Sequence, residues 1–140
     1  MNIGLIGPAA ALGLAAIGSV LGTGIASQAA VGSWKKCFAN NKPAPFMLVA
    51  FSGAPLTQTI YGFLLMQFIN ASAKDPLTLL TAGLFGGLAI GLSALFQGKV
   101  AARAADALAE TGMGTANYWM VIGIVETVAL FVMVFLLLIL

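Results

Sequence analysis

Histidine is absent, cysteine occurs once (Cys37), and charged side chains make up only 7% of the 140 residues. Without histidine or a second thiol, the chain cannot build a Ser-His-Asp triad, a Cys-His dyad, a histidine-cysteine zinc site or a disulfide framework. Six basic residues against four acidic ones leave a net charge of +2. That is too small and too scattered to grip a phosphate backbone, so nucleic acid is not expected as a partner. A soluble domain carries about 25% charged residues. At 61% hydrophobic, this chain has too little polar surface to cover a core in water, and its solvent is lipid. Any chemistry must come from carboxylates, amides, hydroxyls and backbone.

The few charges mark the ends of the apolar runs. Lys35, Lys36 and Lys42 form one cluster, Lys74 and Asp75 a second, and Lys99, Arg103, Asp106 and Glu110 a third; only Glu126 stands apart. About 20 apolar residues at about 1.5 Å each cross a bilayer. The runs between the clusters therefore predict four transmembrane helices at about 5–33, 45–70, 76–100 and 116–140. Lysines after the first helix, and Lys99 and Arg103 after the third, place those two loops in the cytoplasm and both termini outside. The first eleven residues have no basic residue and so do not read as a signal peptide.

The sequence is also an internal duplication. Gly18, Gly22 and Gln28 recur as Gly87, Gly91 and Gln97, and Gln58, Thr59 and Phe63 recur as Glu126, Thr127 and Phe131. Each half, 1–72 and 73–140, reads as a hairpin of a glycine-rich helix followed by a bulkier one. Each hairpin begins and ends on the same side, so the two repeats share an orientation, unlike inverted-repeat transporters. The first and third helices carry small residues at four-residue spacing: Gly18, Gly22, Ala26 and Ala30, then Gly83, Gly87 and Gly91. Such rows let backbones approach closely in lipid. They suit an ordinary tight helix pair, or a ring with these helices inside and the bulkier ones outside.

Glu126 carries the functional weight. An ionised carboxylate at that depth costs at least roughly 2.5–3.5 kcal/mol, and an intramembrane acid is by default functional. The plainer reading is a neutral carboxyl that only tethers helices. On the second helix Ala54, Thr57, Gln58 and Tyr61 share one face, and Gln97 lies on the third. Taken singly, each membrane glutamine or threonine is ordinary interhelical glue. Together Thr57, Gln58, Gln97 and Glu126 offer an all-oxygen set suited to a hard cation, or to a protonated carboxyl held by acceptors. Pro55 removes a backbone donor beside them.

These residues carry a resemblance. The duplicated glycine-rich hairpins, the Pro55-x-Thr57-Gln58-x-x-Tyr61-Gly62 stretch, Gln97-Gly98-Lys99 and Glu126-Thr127 resemble the rotor-ring proteolipids of V-type and archaeal-type rotary ATPases. The likeness covers nearly the whole chain. It implies a homo-oligomeric ring of four-helix protomers in a prokaryotic cell membrane. Such a ring turns past a stator membrane subunit and is coupled through a central stalk to a head where other subunits make or hydrolyse ATP. The chain itself is then no enzyme. The resemblance further implies a sodium site of Thr57, Gln58, Gln97 and Glu126, completed by the backbone carbonyl of Ala54, with Tyr61 hydrogen-bonded to the carboxylate. Ala54 and Leu56 stand where the family leads one to expect a bulkier residue and a glycine.

Na+ is the expected coupling ion. A metal cation must recover its lost hydration from several oxygens, whereas a proton needs one ionisable group. One carboxylate against one monovalent cation also makes a neutral site. Protons remain the alternative. A small cation or multidrug antiporter is a further one, although such proteins are typically unduplicated with the glutamate in the first helix. A purely structural proteolipid would leave Glu126 without a purpose. Gly22-Thr-Gly-Ile-Ala-Ser27 and Gly98-Lys99-Val100 fail as nucleotide motifs. Lys99 and Arg103 read as snorkelling side chains. Cys37 reads as a bystander in a cytoplasmic loop, and Trp34, Tyr118 and Trp119 as interface aromatics.

Overall fold

The computed structural model describes residues 3–140. After a 3-10 turn at Ile3–Leu5 come α1 (Ile6–Ala39), α2 (Leu48–Gly53), a 3-10 turn at Ala54–Leu56, α3 (Thr57–Ala71), α4 (Pro76–Thr111) and α5 (Thr115–Leu137). No strand occurs among the described residues. Four helical stretches are long and apolar enough to cross a membrane, with α2, the turn and α3 forming one of them. The protein is an all-α membrane fold of two consecutive hairpins.

The first and third spans end where expected as apolar runs but not as helices. α1 continues to Ala39 and α4 to Thr111, because the residues there are charged yet good helix formers, and no glycine or proline intervenes. At 34 and 36 residues, these helices are about 50 Å long, against a hydrocarbon core of about 30 Å. Their charged ends therefore project into water, where Lys36 pairs with both Asp106 and Glu110. α4 stops at Gly112, whose left-handed φ of 67° lets its N–H cap the Leu108 carbonyl.

α4 starts at Asp75. Its carboxylate accepts from the Leu77 and Thr78 backbone N–H groups at 3.0 and 3.1 Å and from the Thr78 hydroxyl, while Pro76 occupies the first helical position. The Thr78 hydroxyl, and then the backbone donors, hold the Asp75 carboxyl below its ordinary 3.8. A lowered folded-state pKa stabilises the fold above the ordinary value, and the contribution is lost as pH falls through the folded one. Asp75→Ala is expected to speed amide exchange at Leu77 and Thr78 at neutral pH. The difference from wild type should vanish in acid, and equal exchange at pH 7 would exclude the cap.

α1 and α4 run parallel and meet backbone to backbone. A Cβ placed on Gly18 would fall onto Gly91, one on Gly98 onto Gly22, and one on Gly83 onto Gly7. The small-residue rows thus have a function within the single chain, where they let α1 and α4 touch. α3 lies antiparallel to α1, with Gly62 against Ala15 and Pro55 against Gly22. α5 lies antiparallel along α4. Two apolar clusters fill the bundle. One gathers Leu48, Phe51, Leu108 and Ile122, and the other Leu65, Ile69, Ile90 and Ala129. Gln58, Gln97 and Glu126 fall at the level between these clusters. Large apolar side chains such as Ile60, Phe85 and Phe131 face outward, as lipid or neighbouring chains require.

One side-chain reading needs correction. Cys37 lies in α1 rather than in a loop. It is buried, with Sγ against the Ala109 carbonyl, because the helix outlasts the apolar run. The aromatics also fasten the bundle. Trp34 Nε1 donates to Pro45 O at 2.8 Å, pinning the first loop, while Tyr118 and Trp119 pack edge-on to Phe51.

Candidate functional site

Glu126 sits at the midpoint of α5, roughly 16 Å along the helix from Thr115 at about 1.5 Å per residue. It is half-buried, so the carboxylate meets the protein on one side and is reachable on the other. α4 brings Gln97 to it. Gln97 is fully buried, and its amide nitrogen donates to Glu126 Oε2 and to the Ile122 carbonyl, both at 3.1 Å. A carbonyl can only accept, so Ile122 fixes the Gln97 amide nitrogen-first towards α5 and leaves Oε1 facing α3. There Oε1 accepts from Gln58 Nε2 at 2.8 Å.

The Thr57 hydroxyl lies 3.0 Å from the Gln58 oxygen and 3.0 Å from the Ala54 carbonyl, placed to donate to either. It has one proton, so only one of these bonds forms at a time, and the lone pairs on Thr57 Oγ1 stay free. Tyr61, one turn further along α3, donates its hydroxyl to Glu126 Oε1 at 2.7 Å. All six residues named from the sequence are therefore joined. A single chain of polar contacts runs from the Ala54 carbonyl through Thr57, Gln58 and Gln97 to Glu126, and Tyr61 closes the far side.

Local sequence explains the placement. Pro55 has no N–H, so the second span tightens into a 3-10 turn at Ala54–Leu56. The Thr57 N–H there meets the Ala54 carbonyl, which sets that oxygen beside the Thr57 side chain. Leu56, where the resemblance leads one to expect a glycine, points outward at 52% exposed and does not intrude. Ala54 leaves the carbonyl unobstructed.

The arrangement concentrates oxygen. The Ala54 carbonyl, the Thr57 hydroxyl, the Gln58 and Gln97 carbonyls and the Glu126 carboxylate gather at one level of the bundle, with the apolar clusters to either side. Two positions of the repeat take no part. Gln28, counterpart of Gln97, faces away on α1 and is exposed, and the Thr127 hydroxyl turns back to Ile124 O. The first repeat thus has no second network, since its position equivalent to Glu126 is Gln58, an amide that serves the single site. The sequence reading missed one participant. Ser93 is buried one turn before Gln97 and donates to Val125 O at 2.8 Å, pinning α4 to α5 beside Glu126. Its i, i+4 spacing to Gln97 was the available signal.

Residues 80–139 match the family model of the ATP synthase C-subunit. The A-type ATP synthase subunit K of Methanocaldococcus jannaschii is 36% identical over 111 residues, covering 77% of this chain and 48% of that protein. This chain therefore spans about half the length of that relative. The family match falls on the hairpin that holds Gln97 and Glu126. The match to the archaeal protein is too long to be confined there and reaches into the first hairpin. Repeat, intramembrane carboxylate and both likenesses agree: the chain is similar to the ATP synthase C-subunit family over its second hairpin and to an A-type ATP synthase subunit K over most of its length.

Proposed function

We propose that this chain is the ion-carrying rotor subunit of an A-type rotary ATPase or synthase, and that its cargo is Na+. The observation that carries this reading is the run of polar contacts from Ala54 to Glu126. It sets four oxygen-bearing groups at the level of one intramembrane carboxylate and draws on three separate helical stretches. Identical protomers form a ring, turning past a stator membrane subunit and driving, or driven by, a central stalk. ATP chemistry belongs to other subunits. Positive-inside placement puts the Lys36–Asp106–Glu110 end in the cytoplasm, where the projecting ends of α1 and α4 face the stalk.

Glu126 holds the ion as an ionised carboxylate, and Tyr61 and Gln97 donate to its two oxygens and keep it aimed inward. Thr57, Gln58, Gln97 and the Ala54 carbonyl replace the water that a sodium ion gives up on leaving solution. The loaded site is neutral and passes the lipid-facing part of the rotation at little electrostatic cost. Release requires Glu126 to turn away from Tyr61 and Gln97 towards its open side, where the stator supplies water or a positive charge.

Carbodiimide labelling tests the cargo. The reagent modifies a protonated carboxyl, so bound sodium protects Glu126. Millimolar-range sodium is expected to slow labelling at fixed pH, and Gln97→Ala to raise the sodium needed for half-protection about tenfold or more, since removing a ligand to a charge costs more than about 1.4 kcal/mol. Labelling that follows pH alone would replace sodium by protons and leave the rotor reading standing.

A further inference from the structure

Two hydroxyls on α1 are buried and lack a hydrogen-bond partner among the described residues: Ser19 Oγ and Thr23 Oγ1. Ser19 is only 2% exposed. A membrane helix ordinarily satisfies such groups by turning them onto the carbonyl one turn earlier, or by giving them a partner. Their position gives them a purpose. α1 and α3 are antiparallel, with Ala15 against Gly62 and Gly22 against Pro55. Counting from either contact puts Ser19 level with Gln58 and Thr23 level with Ala54. Ala26, further along the same side of α1, packs with Leu48 and Phe51 of α2, so this side faces the second span. The two orphan hydroxyls thus stand behind two members of the site.

The backbone there has an acceptor to offer. Pro55 lacks an N–H, so the Phe51 carbonyl, pointing along the helix towards position 55, loses its α-helical donor. The residues of α1 and of the turn at this level are small: Gly22, Ala26 and Ala54. Two hydroxyls and a carbonyl without its α-helical donor would give a buried water the two to four polar partners it needs. We propose that Ser19 and Thr23 bind one ordered water between α1 and the Ala54–Gln58 stretch. The water spans the two hydroxyls and the Phe51 carbonyl, bracing the turn that aims the Ala54 carbonyl into the site. Ser19 and Thr23 are positioning residues, and the water's effect on cation affinity rests on the sodium reading above.

A map of the assembled ring at a resolution that shows waters tests this. Density is expected within about 3 Å of both hydroxyls, retained in Thr23→Ser and lost in the Ser19→Ala/Thr23→Val pair. That pair is expected to raise the sodium concentration for half-protection of Glu126 severalfold, while Thr23→Ser leaves it unchanged. Hydroxyls turned onto the Ala15 and Ser19 carbonyls with no density between them would overturn the proposal, as would density that survives the paired substitution. Unchanged half-protection in the pair would remove the positioning role. A wild-type ring with no sodium protection at all would defeat the sodium reading alone, and the density comparison would still decide the water.

Discussion

Glu126→Gln is expected to abolish ion-coupled ATP hydrolysis or synthesis in reconstituted vesicles, reducing transport to background, while the ring still assembles. The structure explains why loss of function should not mean loss of fold. Glutamine matches glutamate in shape, and its carbonyl accepts from Gln97 Nε2 while its amide donates to the Tyr61 hydroxyl, so each bond Glu126 makes has a replacement. What disappears is the charge. An amide neither holds a cation by charge nor exchanges a proton, and Gln58 at the equivalent place in the first repeat has the same limitation. Tyr61→Phe is the graded comparison: it removes one donor but no charge, and a neutral partner donating to a charged group contributes about 1.5–3 kcal/mol. It should weaken sodium protection about tenfold to a hundredfold without ending transport. Wild-type transport by Glu126→Gln would remove the carboxylate from the mechanism.

The next largest effect is expected at the α1–α4 contact. Gly18→Leu or Gly98→Leu should prevent the two hairpins from docking, seen as loss of the assembled ring and its replacement by aggregated or degraded chain. Overpacking ordinarily costs about 1–3 kcal/mol, because side chains shift to make room. Here the atoms in the way are the Gly91 and Gly22 backbones, which have no rotamer to change. The helices must separate along their length, which also pulls Gln97 away from Gln58. Gly24 is the control. Nothing lies within 4 Å of a Cβ placed there, so Gly24→Leu should leave the protomer's own packing intact. Normal rings from both Gly18→Leu and Gly98→Leu would show that α1 and α4 do not meet as described.

The sequence alone determined the solvent, the number of spans and most of the polar residues that the fold brings together. Charge is so scarce that each cluster delimits an apolar run, and one carboxylate left inside a run has no inexpensive explanation in lipid. The i, i+3, i+4, i+7 spacing put Ala54, Thr57, Gln58 and Tyr61 on one face because helical periodicity is a local property. Three things were left to the tertiary structure. Helix ends depend on backbone continuity rather than on hydropathy, so α1 and α4 run on through Lys36 and Glu110, and Cys37 is buried in a helix. The partner of a small-residue row depends on which helices meet, and glycine spacing is the same whether the neighbour belongs to this chain or another; α1 against α4 was decided by the fold. The direction of each hydrogen bond depends on residues distant in sequence. Gln97 turns its nitrogen to Glu126 because the Ile122 carbonyl, 25 positions away, can only accept, and Ser19 comes level with Gln58 because Ala15 and Gly22 meet Gly62 and Pro55. Spacing along a chain fixes which groups share a face, and only packing fixes what that face meets.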